Sequence, residues 1–333
     1  MLRQNLDIDH IKILSYFIYA CILLVLIGYL QLFAYYNGLP WFSYWWLDDA
    51  IGRASAEGMA AIANDRNFYR MSSLGGEPRH LSSVLALSLM LQQYLKTTNI
   101  VVPYLTGYRS YLTSIFLLSG MLFSFSSSGL LSLIIGFGLY FLLTNFIKMA
   151  LFVCIISVFF VFSGDYNFIN NLVWKLSSIE MVLYAAPKDA FALKAIFDSW
   201  IHFIVGYGIN LADLFVPDYY LLQETPFGIS NRYETVKFPM ESSIVPTSPI
   251  LQILLNGGVF GLFLVLFFAY KEMHSCRRTT KVFFISLIGM LSVSSTLIFA
   301  MAWFFLSVII NFEKVTSYRQ YRNRNEDNVV VGK

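Results

Sequence analysis

The chain has 333 residues, 57% of them hydrophobic and only 13% charged, and its 23 basic and 20 acidic side chains leave a net charge of +3. A soluble domain of this length carries roughly a quarter charged residues, so the composition excludes an ordinary soluble enzyme. The class expected is all-α: a polytopic helical membrane protein with about seven to eight spans and two large polar loops facing away from the cytoplasm, in a single integral membrane domain over 1–333.

The first apolar run, 12–36, exceeds the roughly 7–15 residues of a signal-peptide core. The stretch from Gln31 to Asn37 also lacks a small-x-small cleavage site, so it is expected to stay as a span. A polar segment, 37–79, follows and opens with Trp41, Phe42, Tyr44, Trp45 and Trp46. Aromatics at a span end either anchor the headgroup interface or offer rings on which sugars stack. The segment closes with Arg70, Gly75-Gly76, Glu77-Pro78, Arg79 and His80. Pro78 fits the first turn of a helix, where its missing N–H is no loss. Glu77 then meets the positive end of the helix dipole, and the glycines let the backbone turn. Charge gathered where a chain enters lipid is costly unless it is solvated or functional.

Spans are expected at 80–95, 110–126, 129–147 and 149–163. The turn from Ser124 to Gly129 joins two of them, and its hydroxyls suit capping of the next helix or contact with a sugar. A second, longer polar loop covers 164–248. It holds Lys188 and Lys194, an amphipathic helix running to Trp200, then His202, Gly206-Tyr207-Gly208 and Arg232. The lysines are either solvated or an anion clamp, and His202 is either packed at an interface or a base. A span at 249–270 comes next, followed by an apolar stretch at 282–312. That stretch is long for one helix and short for two full crossings. A short hairpin turning at Ser292, Ser294 and Ser295 is the reading preferred here over one tilted span. A cytoplasmic tail, 313–333, ends the chain.

Basic residues fix the orientation. Of the 23 lysines and arginines, 14 lie in the N-terminus, the short connections and the tail, whereas 14 of the 20 acidic residues lie in the two long loops. By the positive-inside rule the basic side is cytoplasmic and the two loops face outward. Cys21, Cys154 and Cys276 lie outside the loops, so no disulfide framework is expected. His10, His80, His202 and His274 lack metal-ligand spacing, and neither a metal nor another cofactor is expected.

Four features in order resemble the O-antigen polymerase and ligase superfamily of bacterial polysaccharide assembly. They are Arg70, Gly75, Glu77 and Pro78 before a span; the serine-rich turn from Ser126 to Leu131; Lys188 ahead of Gly206 and Gly208; and the span start from Leu251 to Gly261. Together they cover roughly 68–312. Members commonly have more spans before the Glu-Pro loop and often an arginine at the position of Lys188. Pro246-Thr247-Ser248-Pro249 stands where ligases tend to carry a histidine, which favours a polymerase. The resemblance implies a multi-pass enzyme of the bacterial inner membrane that transfers undecaprenyl-diphosphate-linked oligosaccharide repeats at the periplasmic face, without a metal. Its partners would be that lipid-linked substrate and the bilayer, with a chain-length regulator and a flippase alongside, and no nucleic acid. Arg70, Arg79, Lys188 and Arg232 become candidates for the diphosphate, and Glu77 or His202 for the base, with Glu77 also suited to orient Arg70. Ligase activity, or a non-catalytic subunit or transporter of the same assembly, is the alternative; spans almost free of mid-helix charge count against a transport path.

Overall fold

A computed structural model describes residues 2–39, 71, 73–75, 78–98, 107–124, 126–162, 192–193, 195–197, 199–208, 248–294 and 299–314. Among the described residues the structure is all-helical. Two helices are long and apolar enough to cross a membrane, Lys12–Tyr36 and Pro249–Met273, and Ser128–Thr144 is a shorter apolar helix. The chain divides into two compact units, one made of Met1–Ser157 and Met273–Lys333, the other of Val158–Glu272.

The first unit is a helical bundle. Helix α1 (Leu2–Tyr36) buries one stripe, Leu14, Ile18, Cys21, Val25, Gln31 and Ala34, at the i, i+3, i+4, i+7 spacing of a single helix face. Its opposite face exposes Tyr16, Leu23, Leu26, Leu30 and Phe33. Helix α2 (Pro78–Thr97) sits at the centre and is buried around nearly its whole circumference. Pro78 is its first residue, as the sequence predicts.

Helices α3 (Tyr108–Phe123) and α4 (Ser127–Thr144) pack on α2, and α1 lies across α2 and α3. Polar residues weld the helices where apolar packing alone would let them slide. The Tyr29 hydroxyl donates to Ser119 at 2.6 Å. The Gln92 amide donates to the Ser110 carbonyl at 2.8 Å and accepts from Ser114 at 2.9 Å. Helix α5 (Phe146–Phe162) folds back so that Phe152 meets Phe137 and Phe141.

The apolar stretch at 282–312 forms two helices. Helix α6 in chain order is the short Trp200–Val205 of the second unit, and α7 is Pro249–Met273. Helix α8 (Arg278–Leu291) returns to pack on α4 and α2, and α9 occupies 299–314. The α8 and α9 helices form a hairpin: Phe284 meets Trp303, while Arg277 and Glu313 meet at the open end. The turn begins at Ser292, and the single tilted span is thereby set aside.

Glu313 completes this end. Its carboxylate accepts from the Arg277 backbone N–H at 2.9 Å and the Thr280 hydroxyl at 2.6 Å, and Tyr94 of α2 donates to it at 3.2 Å. Helix α8 has no side-chain cap of its own, so a carboxylate from α9 satisfies its start, where negative charge is favoured. Burial pushes the neighbouring Cys276 thiol above its ordinary range, and the Glu313 charge adds to that shift.

In the second unit, α7 starts at Pro249 after Ser248, whose carbonyl accepts from Gln252 N–H at 3.0 Å. It breaks at Gly258, which has φ 61 and ψ −165 inside an otherwise helical run. The amphipathic helix expected to end at Trp200 instead stops before Ser199, which is extended, and α6 begins at Trp200. An extended Ser199 cannot continue the i→i−4 ladder, so the helix is interrupted there.

Candidate functional site

The described part of the first loop ends in a short 3-10 turn, Ser73–Gly75, that leads to α2. The sequence points to Gly75-Gly76 as the turning residues; Gly76 lies outside the described residues, and among those described a left-handed backbone falls on Ser73, at φ 51. Such a φ is uncommon outside glycine, and it is held here by three bonds. The Ser73 N–H donates to Gln31 Oε1 at 2.8 Å, Gln31 Nε2 donates back to the Ser73 carbonyl at 3.2 Å, and the Ser73 hydroxyl donates to the Leu24 carbonyl at 2.7 Å. Two residues earlier, Met71 is fully buried, and its N–H donates to the Phe123 carbonyl at 3.1 Å. Its thioether lies so close to Gly28 that any β-carbon there would collide with it. The described residues between Arg70 and Pro78 are thus fixed on both α1 and the end of α3.

The serine-rich turn lies at the same end of the bundle. Ser124 closes α3 by donating to the Met121 carbonyl at 2.6 Å. Ser126 opens α4, its hydroxyl accepting from Gly129 N–H at 3.4 Å and lying 3.1 Å from the Ser128 hydroxyl. Capping, one of the two roles read from the sequence, is therefore its structural role. Gly129 sits against Ser82 of α2 with no room for a side chain. The starts of α2 and α4 consequently lie side by side, each presenting the positive end of its dipole, an arrangement that favours anions. Arg79 and His80 belong to the first turn of α2 and are half-buried. Arg70 and Glu77 lie outside the described residues.

The second constellation belongs to the other unit. The Tyr207 and Gly208 N–H groups donate to the Leu255 and Asn256 carbonyls at 2.8 and 2.9 Å. Those carbonyls sit in the turn just before the α7 break, where the helix does not supply its usual partners. Gly206 and Gly258 face each other backbone to backbone. A β-carbon on Gly206 would meet Asn256 and Gly257 main chain, and one on Gly258 would meet Ile204 and Gly206 main chain. Both also hold positive φ, 70 and 61, so glycine is required twice over.

Tyr207 is buried with Ala192, Ala195, Ile196 and Leu255, and its hydroxyl donates to the Ala195 carbonyl at 2.9 Å. His202 stacks on it, ring centroids 3.9 Å apart at 26°. The Nδ1 of His202 is enclosed and finds no hydrogen-bond partner among the described residues. Lys188, Lys194 and Arg232 lie outside the described residues.

The serine-rich turn and the chain leading to Pro78 thus lie together, and the glycines of the third sequence feature lie against the fourth. Sequence reasoning does not single out Gln31, Met71 or Tyr207 as functional. A glutamine inside an apolar span is itself a signal, since polar groups at that depth need a reason; Met71 and Tyr207 offer none. No three His, Cys, Asp or Glu side chains gather among the described residues in a way that could hold a metal ion. No protein-family model, curated protein or solved structure matches this chain.

Proposed function

We propose that the chain is a multi-pass glycosyltransferase of the bacterial inner membrane that polymerises undecaprenyl-diphosphate-linked oligosaccharide repeats at the periplasmic face. One observation carries this reading. Segments far apart in sequence, and singled out there for their chemistry, are stitched together by main-chain hydrogen bonds, Met71 to Phe123 and Tyr207-Gly208 to Leu255-Asn256. Glycines with no room for a β-carbon line both junctions. Scaffolding of that kind holds loop residues in place, which positioned chemistry needs and a passive anchor does not.

The membrane setting is supported by the outward faces of the helices. Leu112, Ile115, Leu142, Phe146, Ile147, Leu151, Phe260, Phe263, Phe267 and Phe268 are all exposed. An apolar exterior of this extent is unusual for a soluble monomer and natural in lipid. On this reading α1 to α5 and α7 to α9 give about eight crossing or partly crossing helices. At 14 residues, α8 covers about 21 Å of the roughly 30 Å hydrocarbon core, so the α8–α9 hairpin enters from the cytoplasmic side. The Gly258 break leaves carbonyls of α7 without their helical partners, and the Gly206–Gly208 segment supplies them.

Chain growth requires a sugar hydroxyl to attack the anomeric carbon of the growing chain while the lipid diphosphate leaves. Fixed cations stabilise the charge that develops on the diphosphate, and such preorganised charge usually contributes more to the rate than proton transfer does. Arg79, in the first turn of α2, and Arg70 are assigned to it, with Lys188 and Arg232 as further cations. Glu77 orients Arg70, and His202 takes the hydroxyl proton.

The test is restoration of long-chain polysaccharide in a polymerase-deficient strain. Wild type should restore it, and Arg70→Ala should lower polymer yield on the order of 100-fold. Equal restoration by both would refute the site assignment. Full-length polymer left on its lipid carrier in a deletion strain, in place of single capped repeats, would replace the polymerase reading with a ligase.

A further inference from the structure

We infer that Tyr207 is a positioning residue that sets the imidazole of His202 for proton transfer; this rests on the reading of His202 as the base. The two rings lie face to face, 3.9 Å apart. Among the described residues α6 gives His202 little other support, since its neighbours Trp200, Ile201, Phe203, Ile204 and Val205 are all exposed. Tyr207, by contrast, is held from several directions. Its N–H is bound to Leu255, its hydroxyl to Ala195, and its ring is packed with Ala192, Ile196 and Leu255. Gly206 and Gly208, at φ 70 and 93, turn the backbone on either side of it so that it seats against α7.

A rigid ring under a loosely supported imidazole fixes the plane in which that imidazole works. With Nδ1 enclosed, Nε2 is the nitrogen that receives the proton. As the acceptor hydroxyl oxygen bonds to the anomeric carbon, its proton passes to Nε2. The bond from that carbon to the diphosphate oxygen breaks, and the electron pair leaves with the diphosphate. No sequence pattern marks Tyr207 for this, because a tyrosine between two glycines reads as turn filler.

The experiment uses the full chain in lipid nanodiscs, with lipid-linked repeats extracted from the polymerase-deficient host as substrate. Tyr207→Leu should lower kcat about 30-fold, within the range of general-base catalysis, with KM for the lipid-linked repeat unchanged. Tyr207→Phe keeps the ring and loses only the Ala195 anchor, so kcat should fall about fivefold, the equivalent of one modest hydrogen bond. Neither loss should persist in a His202→Gln background, because residues that act as one unit are not additive. Should Tyr207→Leu fail to fold, as read by thermal unfolding in the same nanodiscs, the Phe variant and its double mutant decide the matter.

The inference is overturned if the Tyr207 variants keep wild-type kcat, change KM alone, or add their full effect to His202→Gln. If that happens while His202→Gln alone lowers kcat to a small but measurable residue, the positioning role fails and the base survives. Full activity of His202→Gln would remove the base and the positioning role together. Absence of polymer from the wild-type protein would remove the polymerase reading and this inference with it.

Discussion

Gln31 commits both ends of its side-chain amide to one residue, accepting from the N–H of Ser73 and donating to its carbonyl. A buried peptide group without partners costs about 1–3 kcal/mol, so a side chain inside an apolar span takes over work that water does elsewhere. Glu313 works in the same way at the other end of the bundle, where one carboxylate serves Arg277, Thr280 and Tyr94. Glu313→Ala leaves a helix start and two hydroxyl-bearing side chains short of an acceptor and is expected to destabilise by about 3 kcal/mol. Glu313→Gln keeps one acceptor oxygen and should cost about 1 kcal/mol. Unfolding in detergent micelles measures both, and equal stability of all three proteins would contradict the capping role. Gln31 is visible in the sequence as a polar residue in an apolar run. Glu313 is not, since a glutamate at the start of a charged tail reads as solvated.

At the level of elements, the break in α7 decides how the second unit is built. The helical ladder lapses there: the carbonyls of Leu255 and Asn256 accept from Tyr207 and Gly208, and Gly258 adopts a backbone that L-residues avoid. Gly258→Ala would place a β-carbon on the main chain of Ile204 and Gly206 in addition to the intrinsic strain of about 1–2 kcal/mol. The expected result is release of the Gly206–Gly208 segment, read as faster proteolysis within 192–208, with the rest of α7 uncut. Gly257→Ala, where a β-carbon meets nothing, should leave the proteolysis rate near wild type. Equal rates for the two variants would show that the interlock does not hold the segment. The glycine pair is legible in the sequence, but its partner is not, because a backbone-to-backbone contact leaves no trace in side-chain pattern.

Across the first unit, one end collects serines and the other collects cations. Ser73, Ser124, Ser126 and Ser128 mark the first; Lys96 over the Tyr111 ring, and Arg277 beside Glu313, mark the second. On the polymerase reading, a membrane-impermeant thiol reagent added to intact cells labels Leu74→Cys and spares His274→Cys, each introduced after replacement of the native cysteines. In inverted vesicles the order reverses. Labelling of both from one side would refute the topology.

Composition and the spacing of apolar residues by themselves determine an all-helical chain and several of the places where its helices begin and end, because 3.6-residue periodicity, Pro78, Pro249 and the serine caps act over a few neighbouring residues. Tertiary structure alone decides that Met71 meets Phe123, that α8 and α9 close as a hairpin on Glu313, and that Tyr207 lies under His202. The first two contacts join residues tens of positions apart, and the third depends on main-chain bonds from Tyr207 to α7. Main-chain atoms are common to every amino acid, and local pattern carries no record of where they meet.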